Sequence, residues 1–151
     1  MNPGHPMTLK ICLAGATGWA GSELARGIAG ADDMDLVAAV ARRHAGQKLG
    51  DVLGESALDA PIFASTGEAL ARPCDVFVEY TKPDSAKANI LAALAQGAHV
   101  VVGTSGLTDA DYAQIDAVAR ECRRGVLACG NFALTAVLLI KFAEMAAKLI
   151  P

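Results

Sequence analysis

No two cysteines in this chain stand as C-x-x-C; Cys12, Cys74, Cys122 and Cys129 are scattered along it. That spacing argues against a zinc knuckle and a thioredoxin-type redox motif, and no metal-ligand set is expected. The thiols read instead as reduced, small core hydrophobes, a usage that points to the cytoplasm. Positive charge is not in excess either. With a net charge of -3 and a pI near 5.5 the chain offers no basic module for a polyanion, so nucleic acid is not an expected partner. Long apolar runs are lacking too: the stretch from Phe132 to Ile140 ends at Lys141, short of the roughly 18 to 20 residues that a bilayer span needs, and no membrane partner is expected. Met1 to Met7 carry neither the basic nor the apolar region of a secretory signal, and Met7 offers a second start.

What the chain does have is apolar residues and glycine. At 53% hydrophobic over 151 residues, with 15 glycines and a mean hydropathy of +0.35, it suits one folded domain and neither a disordered tail nor a coiled coil. Lys10 to Ala14 is an apolar run that stops at a glycine cluster, the pattern of a buried strand entering a tight turn. A helix is expected from Gly18 to Ile28, then a second buried strand over Met34 to Ala41, then a polar, glycine-bearing loop as far as Ala60. Pro61 to Ala64 reads as a minor strand, and Thr66 as the cap of a brief helix through Leu70. Val76 to Tyr80 is a further strand. Ala86, Ile90, Ala93 and Leu94 share one helical face, which predicts a helix over Asp84 to Gln96 with Gly97 as its left-handed stop.

The β-branched run His99 to Gly103 reads as a central parallel strand. Thr108 and Asp111 form a capping box for a helix whose apolar face is Tyr112, Ile115, Val118 and Cys122, with Arg120, Arg123 and Arg124 at its C-terminal end. Gly125 to Cys129 is the last strand, and Ala133 to Ile150 a long helix. This alternation predicts a Rossmann-type α/β fold, a doubly wound parallel sheet.

Gly15-Ala-Thr-Gly18-Trp-Ala-Gly21 lies between the first strand and the first helix, the context that a dinucleotide fingerprint requires. Gly15 would permit the turn, Gly18 would admit a pyrophosphate to the backbone, and Gly21 would let helix and strand approach, with the helix-terminal amides facing the anion. Gly15, Thr17, Gly18, Trp19, Ala20 and Gly21 are therefore candidate cofactor residues. A glycine-rich turn without a ligand is the alternative. At the end of the second strand, where an acidic residue would accept the adenosine ribose hydroxyls, stands Ala41, followed by Arg42 and Arg43. Guanidinium groups suit a 2′-phosphate, so NADPH is the preferred cofactor and NADH the second, unless the pair is a solvated basic loop.

Further motifs follow in order: Glu79-Tyr-Thr-Lys-Pro83, Gly103-Thr-Ser-Gly106 and Asn131-Phe132. The first two end successive strands, at the carboxyl edge where such sheets bind ligands, and Gly103 and Gly106 would let backbone lie close to a flat ring. With the fingerprint, and from about Lys10 to Pro151, the chain resembles the dihydrodipicolinate reductases of lysine and diaminopimelate biosynthesis. Their pattern differs in having Asp at position 79, Thr at 105 and Ala-Asn-Phe-Ser over 130–133. The resemblance implies cofactor contacts from Tyr80, Thr81 and Lys82, a nicotinamide lined by Gly103, Thr104 and Ser105, and Asn131 and Phe132 close by at the junction to a second domain.

The resemblance also implies a function: hydride transfer from NAD(P)H to hydroxytetrahydrodipicolinate, a small cyclic dicarboxylate, by an enzyme that is a homo-oligomer at full length. The family's catalytic segment, paired histidines, a lysine and an Asp-Ala-Pro-Ser-Gly-Thr run, has no counterpart here, and His5, His44 and His99 stand in other settings. No catalytic residue is therefore assigned. Residues 1–9 read as an extension and 10–151 as the dinucleotide-binding domain, without the substrate domain and inactive alone. Two rival readings remain open at this point. One is a semialdehyde dehydrogenase with Cys129 as nucleophile, whose opening resembles the same Gly-Ala-Thr-Gly turn; the other is a non-enzymatic NAD(P) sensor.

Overall fold

The computed structural model describes residues 8–129 and 133–149. Its strands are β1 Leu9–Ala14, β2 Met34–Val40, β3 Ile62–Phe63, β4 Val76–Glu79, β5 His99–Val102 and β6 Val126–Ala128. Its helices are α1 Trp19–Ala29, α2 Leu49–Leu53, α3 Thr66–Ala69, α4 Pro83–Ala95, α5 Asp109–Cys122 and α6 Leu134–Ala147, with a single 3-10 turn at Arg42–His44. The strands form one sheet in the order β3-β2-β1-β4-β5-β6, every adjacent pair parallel. The order reverses between β1 and β4. That switch point leaves a crevice at the carboxyl ends of the strands, the place where doubly wound sheets take ligands.

The continuous apolar character of β1 has its reason in two cores. Ile11 and Leu13 pack with Ala25 and Ile28 of α1 and Leu49 of α2, whereas Cys12 and Ala14 pack with Ile90 and Leu94 of α4 and Phe77 of β4. A strand covered on both faces has no place for polar alternation. Coverage is unequal further along the sheet. Phe77, Val100 and Val102 are buried beneath α4 and α5, while Val76, Val78 and Val101, which point the other way, are only half-buried, and Leu127 is 54% exposed. A cleft of about 550 Å³ runs there along α1, between Leu24, Ile28 and Met34 and the ring of Tyr80.

Several boundaries depart from the sequence reading. Strand β1 opens at Leu9, so it takes one residue from the expected extension. The segment expected to be loop contains the 3-10 turn and α2, which is held by tertiary hydrogen bonds: Leu49 N donates to Ala60 O at 2.9 Å and Gly50 N to Leu58 O at 2.7 Å. The cap of α3 is Ser65, whose Oγ accepts from Glu68 N at 3.3 Å. Thr66 is instead buried, and its hydroxyl donates to Asn89 Oδ1 at 2.7 Å, which leaves it no capping role. Gly97 stops α4 in the left-handed region at φ 83°, as expected.

The capping box of α5 forms as read from sequence, and α4 adds to it. Asp111 Oδ2 accepts from Thr108 N at 2.9 Å and Thr108 Oγ1 at 2.7 Å, while Oδ1 meets Lys87 Nζ of α4 at 2.9 Å. The Lys87 ammonium first, and the Thr108 amide and hydroxyl after it, hold the Asp111 carboxyl down at about 2. A carboxylate held below its unfolded value stabilises the fold fully above that value, near 3.9, and loses the contribution as pH falls toward the folded one. Asp111→Asn is therefore expected to lower the melting temperature at neutral pH, with the gap to the native chain narrowing below pH ~4 and closing near pH ~2. Thermal melts over that range check it; a gap that stays constant would assign the loss to something other than the charge.

Candidate dinucleotide site

The fingerprint turn leaves β1 at the switch point. Gly15 N donates to Val40 O at 3.0 Å and Gly18 N to Gly15 O at 2.9 Å, which folds the turn back against the end of β2. The three glycines differ in what holds them. Gly15 sits at φ 82°, and a Cβ there would stand 2.1 Å from the Tyr80 carbonyl oxygen; a Cβ at Gly21 would stand 2.0 Å from the Gly15 carbonyl oxygen. Both are glycine because backbone occupies the space. Gly18 has an ordinary φ of -75°, and its Cβ would meet only the Gly15 carbonyl oxygen, at 3.2 Å. Packing presses on position 18 far less than on 15 or 21: a Cβ there needs the Gly15 carbonyl to give by a few tenths of an ångström.

Helix α1 opens at this turn with Gly18 as its N-cap, no side chain capping it and no acidic residue in its first turn. The first amides of a helix need an acceptor, and this end of the helix carries the positive end of its dipole, so the turn is open to an anion. Thr17 and Ala20 are half-buried beside it, and Trp19 projects into solvent at 91% exposure. Arg42 and Arg43, exposed on the 3-10 turn that follows β2, flank the same edge; among the described residues no carboxylate pairs with either.

The next strand ends complete the edge. Tyr80 N donates to Ala14 O at 3.1 Å, tying the turn after β4 to β1. The Tyr80 ring lies over Gly103: a Cβ on Gly103 would fall 2.0 Å from the Tyr80 Cζ. The open space expected on that side of Gly103 is thus filled by the protein's own aromatic ring, and Gly106, at φ 93°, faces the Pro83 ring instead. Burial first, with Cys129 nearby, pushes the Tyr80 phenol up from its ordinary value. Lys82 is exposed as the N-cap of α4. Thr104 is buried and Ser105 exposed at the head of the loop after β5. Asn131 and Phe132 lie outside the described residues.

Beneath this edge is a feature that reading the sequence did not assemble. Glu79, the last residue of β4, is fully buried. Its carboxylate accepts from Thr81 N at 2.7 Å, from the Thr81 hydroxyl, from Asn89 Nδ2 at 2.9 Å and from Thr104 Oγ1 at 3.3 Å. The available signal was Asn89 itself, a polar residue between Ala86 and Ala93 on the apolar face of α4. Among the described residues no group of His, Cys, Asp and Glu is placed to hold a metal ion, and no helix is long and apolar enough to cross a membrane.

A model of the family described as "Dihydrodipicolinate reductase, N-terminus" matches residues 9–132. The chain belongs to that family. Its relatives include the 4-hydroxy-tetrahydrodipicolinate reductase of Bacillus thuringiensis (strain Al Hakam), 37% identical over 141 residues, which cover 93% of this chain and 53% of the relative. That of Geobacillus kaustophilus (strain HTA426) is 38% identical over 144 residues, 94% of this chain and 54% of the relative. Among solved structures, the dipicolinate-bound dihydrodipicolinate reductase from Paenisporosarcina sp. TG-14 superposes with a TM-score of 0.75 at 28% identity, covering 93% of this chain and 54% of that one. The chain thus spans about half the length of the curated relatives it matches. Membership in this family decides against the semialdehyde dehydrogenase reading and leaves Cys129 an exposed cysteine after β6.

Proposed function

We propose that this chain is the cofactor-binding half of a reductase that passes hydride from NADPH, or less favourably NADH, to hydroxytetrahydrodipicolinate in lysine and diaminopimelate biosynthesis. With Leu9 counted in β1, residues 9–151 form the dinucleotide-binding domain on this reading, 1–8 an extension, and the substrate's carboxylates and the proton donor belong to a second domain in a longer, oligomeric, cytoplasmic protein. The observation that carries it is Gly18 at the uncapped start of α1, an anion cradle that a side chain would fill at a position where the fold presses on a Cβ far less than at Gly15 or Gly21. When bound, the reduced nicotinamide supplies the hydride. The chain's own part is to hold and orient. The amides of Trp19, Ala20 and Gly21 face the pyrophosphate, Thr17 lies beside it, and the turns at Tyr80–Lys82 and Gly103–Ser105 seat the nicotinamide half. On this reading Asn131 and Phe132, assigned by the resemblance alone, also count among the cofactor's residues.

Preference for NADPH rests on Ala41, Arg42 and Arg43. Ala41 presents no carboxylate to repel a 2′-phosphate, and neither guanidinium is engaged by a carboxylate among the described residues. The chain has a single tryptophan, Trp19, at the fingerprint, so its fluorescence is a direct reporter of titration with either nucleotide. A charge-assisted contact contributes about 1.5 to 3 kcal/mol, so Arg42→Ala should weaken NADPH by about tenfold or more and leave NADH nearly unchanged. Equal losses for both nucleotides would remove Arg42 from the 2′-phosphate, and a native chain that binds neither would defeat the reading as a whole.

A further inference from the structure

We propose that Glu79 is the positioning residue of the nicotinamide half of the site: without touching the cofactor, its buried carboxylate fixes the turns at Tyr80–Lys82 and Gly103–Ser105 relative to one another. This rests on the dinucleotide reading above and goes beyond it. Among the described residues the buried polar side chains are Thr66, Glu79 and Thr104, and one hydrogen-bonded chain joins all of them. Thr66 Oγ1 donates to Asn89 Oδ1 at 2.7 Å, Asn89 Nδ2 donates to Glu79 Oε2 at 2.9 Å, and Thr104 Oγ1 lies 3.3 Å from Glu79 Oε1. The chain therefore runs from α3 through α4 and the end of β4 to the loop after β5.

Among the described residues Glu79 is the sole charged side chain in the core, and no lysine, arginine or histidine there forms an ion pair with it. A buried carboxylate is tolerated when donors surround it, and here they do. Oε1 takes the Thr81 amide and hydroxyl and shares the Thr104 hydroxyl with the Glu79 carbonyl oxygen, 3.4 Å from it, while Oε2 takes Asn89. The donors on Oε1 come from both turns at the carboxyl edge, so one oxygen atom is their shared anchor. The Ser85 hydroxyl, 3.0 Å from Thr81 Oγ1, extends the clamp into the first turn of α4. A network that is satisfied at every member holds one geometry, and an apolar residue in place of Glu79 would leave both turns without a common reference.

The arrangement allows an exchange that preserves hydrogen bonds while moving the charge. Glu79→Gln alone sets an amide N–H either against Asn89 Nδ2 or against the Thr81 and Thr104 donors; a flip of the Asn89 amide restores the contact between 79 and 89 only by taking from the Thr66 hydroxyl its acceptor, so the network loses a bond and its charge. With Asn89→Asp added, the amide introduced at position 79 donates to the carboxylate introduced at position 89 and still accepts from Thr81 and Thr104, and Thr66 keeps its acceptor. The ligands are NADPH and adenosine 2′,5′-bisphosphate, which carries the adenine half alone, titrated by Trp19 fluorescence and by calorimetry on the 151-residue chain. Glu79→Gln is expected to weaken NADPH about tenfold and adenosine bisphosphate by no more than about twofold, and the double variant to recover NADPH to within about threefold of the native chain.

Equal losses for the two ligands would make Glu79 a general support of the fold and overturn the proposal, as would no loss for either. Should Glu79→Gln fail to fold, the double variant decides: folded and binding NADPH almost as the native chain does, it supports the positioning role, and folded but selectively poor for NADPH it overturns it. A native chain that binds neither ligand removes the dinucleotide reading and the proposal together. That result is distinct from a native chain that binds both and a variant that loses neither.

Discussion

Gly18→Val and Gly21→Ala are expected to fail in opposite ways. At Gly21 the added Cβ would stand 2.0 Å from the Gly15 carbonyl oxygen and 3.0 Å from the Ala16 Cα, and both neighbours are backbone that cannot swing aside. Helix α1 must then lift from β1, against a core in which Ala25 and Ile28 pack on Ile11 and Leu13. Overpacking of this kind costs on the order of 1 to 3 kcal/mol, and more where backbone must move, so a large fall in melting temperature is expected along with loss of cofactor binding. At Gly18 the backbone is in an ordinary region and the only close atom is 3.2 Å away. Valine there gives a poorer N-cap, an effect of about 1 kcal/mol, and leaves the fold in place. Its branched side chain would fill the approach to the uncapped amides, so binding of both NADPH and NADH should fall below detection. Circular dichroism melts and nucleotide titrations on the two variants separate the cases; a folded Gly18→Val chain that still binds would reduce the fingerprint to a structural turn.

The second large effect concerns association. None of the residues of α6 is buried, and Leu134, Leu138, Leu139, Ile140, Phe142 and Met145 are each more than half exposed. The same chain leaves Leu127 and the outer positions of β4 and β5 without a full cover. Contiguous apolar surface of this size is rarely left in water, since its removal contributes about 25 cal/mol per Å². The 151-residue chain is accordingly expected to self-associate, and Leu138→Glu with Phe142→Glu to shift it to monomer without changing nucleotide affinity. Sedimentation velocity and light scattering give the answer; a native chain that stays monomeric would show that α6 folds back onto its own domain.

Much of the architecture was legible before any coordinates. Local chemistry dictated it: Lys10 to Ala14 stops at glycines, Ala86 to Leu94 keeps helical spacing, and Thr108 with Asp111 caps α5 through contacts a few residues apart. The fingerprint was legible for the same reason, because its function depends on which residues lie between one strand and the next helix. Helix α2 was not, since five residues carry no period and its hydrogen bonds go to Leu58 and Ala60 across a loop. The Thr66 cap misled because Ser and Thr at adjacent positions are equivalent to a local rule, while burial against Asn89 decides between them. Gly103 read as room for a ring, and the ring that fills it is Tyr80, which comes from another strand end. Glu79 read only as the head of the Glu79–Pro83 motif, since its donors lie as far away as Thr104, a residue that pairing of β4 with β5 alone brings near.

By itself, then, the sequence determined the alternation of strands and helices, the parallel sheet, the fingerprint and its family, because each depends on neighbours within a turn or two or on motif order. The tertiary structure decided which glycines are held by packing and which is held less tightly, what the buried carboxylate binds, and which faces remain bare. Those outcomes depend on distances between strand ends that only the closing of the sheet sets.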